Sequence, residues 1–263
     1  MLRRSLLIPG SVVIVLCAGP ALAQPPEPDA SIQFRKEIAL GQQLAGEVER
    51  QDGNIADPAI VAYLEGIVNR LAGAVGVKPL QIRVTRGVAR YAYLMPHGVL
   101  YISGALLERV ESEAELAGLF AHELAHARAP VAASPGSAGA PALLWPKCVL
   151  ASQVVSLKWA EDHREAERLA TVTAIQTLRA AGYDPTAVLD LLSKLAYENP
   201  AWGKAIDPDD LLDLRVKLEA ETTPKAGYLV DSSGFALERA KLMQALNESL
   251  APPPRLTAAP PAR

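Results

Sequence analysis

Apolar positions recur with helical spacing over most of the chain and with strand spacing over one short stretch. Residues 32–48 carry the helical period. Asp57-Pro58 opens a second helix, with Asp as N-cap and Pro at the first helical position. Its apolar stripe is Ile60, Val61, Leu64, Ile67, Val68 and Leu71. The period then changes. Leu80 to Val84 alternates and is rich in branched residues, and Tyr91 to Leu94 with Val99 to Ser103 predict a hairpin about Pro96-His97-Gly98. Ser112, with Glu115 three residues on, forms a capping box. The helix it starts runs to about Arg128 through Leu116, Leu119, Phe120 and Leu124. Residues 129–141 read as a Pro/Gly/Ser/Ala linker. An apolar helix is expected from about Leu143 to Trp159. A longer one is expected from about Glu161 to Ala181, stopped by Gly182 with Pro185 beyond. Helices over 185–197, 209–220 and 234–249 complete the pattern. The predicted fold class is α+β, mostly helical, with a small antiparallel sheet beside the helix that starts at Ser112.

The two ends read differently. Arg3 and Arg4, an apolar run from Leu6 to about Ala18, and Ala21-Leu22-Ala23 form a secretory signal pattern. Residues 1–23 are therefore expected to be a signal peptide cleaved after Ala23, and 24–31 a flexible lead-in. The folded domain is expected over 32–250, and 251–263 as a disordered Pro-rich tail. The protein is then exported to the periplasm, and any membrane association does not rest on a retained transmembrane helix. Of the two cysteines, Cys17 leaves with the signal, so Cys148 has no intramolecular partner. Across 263 residues, 50% are hydrophobic and 21% charged, which describes a globular chain rather than a disordered one. A net charge of −3 gives no footprint for nucleic acid.

Candidate chemistry is concentrated in His122-Glu123-Leu124-Ala125-His126. This H-E-x-x-H puts two imidazoles four residues apart on one helical face, where both can reach one ion. Neutral imidazoles hold zinc without cancelling its Lewis acidity, and Glu123 is placed to take a proton from a metal-bound water. The chain has only four histidines, so the spacing is specific. A catalytic zinc site commonly takes a third protein ligand. His163, Glu165 and Glu167 are all candidates, and spacing does not choose among them. His97 reads as a turn residue.

From about Ile38 to Leu218 the chain resembles the HtpX/BepA-type zinc metallopeptidases, relatives of the CAAX prenyl endopeptidase in metallopeptidase family forty-eight. The resemblance is carried by DPAIVAYLEGIVNRLA at 57–72, AYLMPHGVLYISGALL at 92–107, ELAGLFAHELAHA at 115–127 and HREAERLATVTAIQTLRAAGYDP at 163–185. It implies a gluzincin-like fold and hydrolysis of peptide bonds, with protein or peptide as substrate. Aligned without a gap from Ala181-Gly182-Tyr183-Asp184-Pro185, the family's ligand Glu falls on Glu167. The implied zinc set is then His122, His126 and Glu167, one ion per chain, with Glu123 as catalytic base.

Two departures stand out in this register. The family's Asp behind the site is Thr171, and its later His-Pro and Arg become Asp207-Pro208 and, further on, Arg215. Thr171 is the candidate for supporting a metal ligand from behind, and Arg215 for steadying the oxyanion. The strand Val99, Tyr101, Ser103 is expected to be an edge that pairs with extended substrate. The implied function is an exported zinc metalloendopeptidase in envelope protein quality control. The alternative is a zinc-bearing chaperone-like scaffold of the same fold, weakly active or inactive.

Overall fold

The computed structural model of the protein describes residues 30–95, 98–128, 157–198, 202–221 and 227–250. The expected signal segment, the turn residues Pro96 and His97, the 129–141 linker, the apolar stretch up to residue 156 and the tail lie outside the described residues. Helix α1 (Ala30–Asp52) is followed by strand β1 (Asn54–Ile55) and helix α2 (Pro58–Ala74). Asp57 caps α2 as expected, accepting the amides of Ala59 and Ile60. Strands β2 (Gln81–Thr85), β3 (Ala92–Leu94) and β4 (Val99–Ser103) follow, then the short helix α3 (Gly104–Leu107) and helix α4 (Glu113–Arg128). The C-terminal half is helical: α5 (Leu157–Ala181), α6 (Ala187–Glu198), α7 (Trp202–Ala205), α8 (Pro208–Glu221) and α9 (Phe235–Leu250). Helix α5 passes unbroken through residues 159–161, where the sequence pattern placed a boundary. No helix among the described residues is long and apolar enough to cross a membrane.

The α+β, mostly helical class is borne out, but the sheet is mixed rather than antiparallel. Its order is β1-β2-β4-β3. The β3–β4 hairpin is antiparallel, as its turn predicts, whereas β2 and β4 pair in parallel, with Ile82 opposite Leu100 and Val84 opposite Ile102. The reason lies in β4 itself. All five of its residues are buried, and a strand covered on both faces takes a central place. On one face Val99 and Tyr101 join Tyr91 and Met95 against Leu44, Ala45 and Val48 of α1. Leu100 and Ile102 belong to the main core with α2 and α4. The Tyr101 hydroxyl donates to Glu49 of α1 at 2.7 Å, which ties α1 across the sheet.

This order overturns one expectation. Val99, Tyr101 and Ser103 do not form an edge, because β4 is bonded to β2 on one side and β3 on the other. The Ser103 hydroxyl is spent locally, accepting the amides of Tyr91 and Leu106. The outer strand on that side of the sheet is β3, which packs against α4.

Helix α4 is buried along nearly its whole length, with Leu116, Leu119, Phe120 and Leu124 all in the core. Each such side chain stabilises by about 1.5–3 kcal/mol. Its Ser112 cap accepts the Glu115 amide at 3.1 Å, and the Glu115 carboxylate accepts the amide of Glu111. Gly118 lies one turn before His122 at the closest approach to α6. A Cβ there would sit 2.9 Å from both the Cα and Cβ of Val188. Gly118→Ala should therefore push α4 off α6 and lower stability by about 1–3 kcal/mol, read by urea denaturation. An unchanged midpoint would show that the contact relaxes freely.

Candidate metal centre

Helices α4 and α5 pack on one another. Small buried residues on both (Ala114, Ala117, Ala121 and Ala125 on α4; Ala170 and Ala174 on α5) let the backbones come close. Helix α5 ends as its sequence predicts. Gly182 takes φ +78°, and the Tyr183 amide closes back on the Leu178 carbonyl. This packing brings His122 and His126 of α4 against Glu167 of α5. The Nε2 of His122 lies 3.0 Å from Glu167 Oε2 and 3.0 Å from His126 Nε2, and the third side of the triangle, His126 Nε2 to Glu167 Oε2, is 3.4 Å. Three vertices of a tetrahedron with metal–ligand bonds of about 2.0–2.1 Å are about 3.3 Å apart. The donor set fits zinc in type and in spacing.

The electrostatics are those of a buried cation site. Burial acts to raise the Glu167 carboxyl, but attraction to His126 and hydrogen bonds from both histidines bring it down to about 2. It is an anion at every ordinary pH. Burial lowers His122 below the usual histidine range. His126 is raised, because Glu167 outweighs its burial. Glu123 is 7% exposed and close enough to His126 and Glu167 to feel the charge of both. Burial first, and the nearby Glu167 charge second, push its carboxyl up to about 8 against the opposing pull of His126.

The remaining expected residues fall elsewhere. The hydroxyl of Thr171 donates to the Glu167 carbonyl of its own helix at 2.9 Å, and the buried His122 Nδ1 has no hydrogen-bond partner among the described residues. Thr171 therefore does not orient His122. A threonine in a helix reaches its own i−4 carbonyl more easily than a neighbouring helix. Arg215 is held by Asp190 of α6 at 2.5 Å rather than at the metal centre. The cations beside Glu167 are Arg164 and Arg168, which line a small pocket with Glu167, Thr171, Asp207 and Leu211. Arg164 pairs with Asp207 at 2.6 Å, and the Asp207 carboxylate also accepts the Asp209 amide at the start of α8. Arg164 could have been singled out from its spacing, three residues before Glu167 and on the same helical face.

Comparison with known proteins agrees with this geometry. Residues 58–134 match the sequence model of peptidase family M48. That span holds strands β2 to β4 and the H-E-x-x-H helix and ends before Glu167. The chain is also 25% identical over 193 residues to the beta-barrel assembly-enhancing protease of Yersinia pestis, an alignment covering 64% of this chain and 39% of that relative. The chain thus spans well under half of the relative's length.

Proposed function

We infer that this chain is a zinc-dependent endopeptidase of the M48 type whose metal is held by His122, His126 and Glu167, a reading supported by the match of residues 58–134 to that family's model and by the similarity to a beta-barrel assembly-enhancing protease. The observation that carries this reading is the triangle of two imidazole nitrogens and one carboxylate oxygen, with sides of 3.0–3.4 Å. Bound there, zinc supplies a water acidified to a pKa of about 7 and polarises the scissile carbonyl. The chain's own residues do the rest. Glu123 follows His122 directly on α4, and its raised basicity suits it to accept the proton of the attacking water. The same carboxyl then donates that proton to the leaving amine. Glu167 contributes the single negative charge of the donor set and leaves the zinc cationic. The backbone of β3, the outer strand packed against α4, has no strand on its far side among the described residues and is the edge an extended substrate segment would pair with.

The substrates are proteins in extended form, and the setting is the periplasm, reached through the signal segment at 1–23. The similarity to a protease named for enhancing β-barrel assembly supports a role in envelope protein quality control. A second reading is favoured by one observation. Among the described residues His122 Nδ1 lacks the partner that commonly fixes a zinc-bound imidazole, and loss of such a partner costs about 10–100-fold in metal affinity or activity. That favours a zinc-bearing scaffold that binds unfolded chains without cutting them. Mass mapping of casein after incubation with the zinc-loaded protein separates the two. Internal cleavages that stop with a zinc chelator support the peptidase, whereas intact casein retained by the zinc-loaded protein supports the scaffold.

A further inference from the structure

Helix α4 begins far from the metal centre, at a buried carboxylate that the proposed chemistry does not use. Glu113 is 3% exposed. Its Oε2 accepts the Tyr63 hydroxyl of α2 at 2.6 Å, the Ser232 amide at 3.3 Å and the Ser232 hydroxyl. Its Oε1 accepts the Tyr183 hydroxyl at 2.9 Å. Tyr183 is fully buried and lies just past the end of α5, the Glu167 helix. The same segment that brings Ser232 also caps α4. The Glu113 amide donates to Asp231 Oδ1 at 2.8 Å and the Ala114 amide to the Val230 carbonyl at 2.9 Å. These are first-turn amides with no intrahelical partner, so an irregular segment more than a hundred residues away satisfies them. One residue earlier, Leu229 is stitched to the end of α5. Its amide donates to the Gly182 carbonyl and its carbonyl accepts the Asp184 amide, both at 3.0 Å.

We propose that Glu113 and residues 229–232 form a positioning clamp for the metal centre, fixing the start of α4 to the end of α5 so that His122, His126 and Glu167 converge. The proposal rests on the reading of those three residues as metal ligands. The clamp acts through rigid elements. His122 lies nine residues along α4 from Glu113, about 14 Å of helix, and Glu167 lies fourteen residues from the end of α5, about 21 Å. Levers of that length turn a small shift at the clamp into a displacement of the donor atoms. A site with three donors about 3.3 Å apart tolerates little of it. The depressed pKa of Glu113 agrees with a clamp that is ionised when closed. Burial acts to raise it, and the hydrogen bonds from Ser232, Tyr63 and Tyr183 outweigh that and leave it below the usual range.

The test uses the full chain loaded with cobalt(II), whose visible absorption reports coordination geometry, together with zinc affinity by chelator competition. It is run well below the melting temperature of every variant. Glu113→Ala and Tyr183→Phe are compared with Asn69→Ala. Asn69 bonds the Leu80 amide at 2.7 Å and serves as a similar polar tie away from both ligand helices. The expected result is an altered cobalt spectrum and about tenfold weaker zinc binding in Glu113→Ala, with a smaller change in the same direction in Tyr183→Phe. Asn69→Ala should lose thermal stability only. If Glu113→Ala does not fold, Glu113→Gln takes its place, since an amide cannot accept on both sides. Amide hydrogen exchange over residues 119–126 of the metal-free protein is read in parallel and is expected to quicken in the clamp variants alone. Unchanged spectra, affinity and exchange in folded clamp variants would overturn the clamp. A wild type that takes up no metal would refute the ligand reading instead, and the exchange data would still decide the clamp.

Discussion

Glu123→Gln is expected to keep one zinc per chain and to lose casein hydrolysis by about 10²–10⁴-fold. The substitution preserves shape and removes only the ability to take a proton. Glu123 is not one of the three converging donors, so the metal has no reason to leave. The side chain is buried and its carboxyl is pushed up to about 8, so its basicity is set by the surroundings that a neutral amide would inherit without using. Glutamine matches the shape of the largely neutral buried carboxyl, so the variant should be no less stable than the wild type. Elemental analysis and a casein assay on the same sample check both halves. Full activity would remove Glu123 from the mechanism, and loss of zinc would mean that it holds the metal.

Glu167→Ala should lose the metal, while His163→Ala should retain it. Glu167 is the only anion in the donor triangle, and its removal leaves two neutral imidazoles with nothing to offset a divalent charge. The loss should exceed the roughly 10–100-fold that follows from deleting a partner outside the coordination sphere. His163 stands one turn earlier on α5, and a four-residue insertion in the family alignment would have made it the ligand. The packing of α4 on α5 brings Glu167 against both histidines, which favours the ungapped register. Zinc content per chain for the two variants decides it. Retention in Glu167→Ala with loss in His163→Ala would reverse the assignment.

What the sequence revealed depended on how local the signal was. The His122–Glu123–His126 helix was legible because i and i+4 share a face whatever the tertiary fold. So were the Asp57 cap and the Gly182 stop, since each depends on a few neighbouring residues. Glu167 was not legible from spacing, which also allowed His163 and Glu165, and it needed the family resemblance. The place of β4 was misread because a hairpin fixes its own pairing but not what lies on the other side. The pairing of β2 with β4 is a tertiary outcome of burying Val99 to Ser103 on both faces. Arg215 was placed by analogy with a differently spaced segment, and Asp190 on α6 took it up. Nothing in the sequence singles out Glu113. Its partners at positions 63, 183 and 232 come from three separate elements, and no local pattern marks them.

The central claim is that His122, His126 and Glu167 together hold one catalytic zinc. Its most direct test is to strip the protein of metal and titrate zinc back while following casein hydrolysis. The account predicts no activity at zero zinc, a linear rise, and a plateau at one equivalent per chain. Undiminished hydrolysis in the stripped protein, or none at any zinc level, would contradict it.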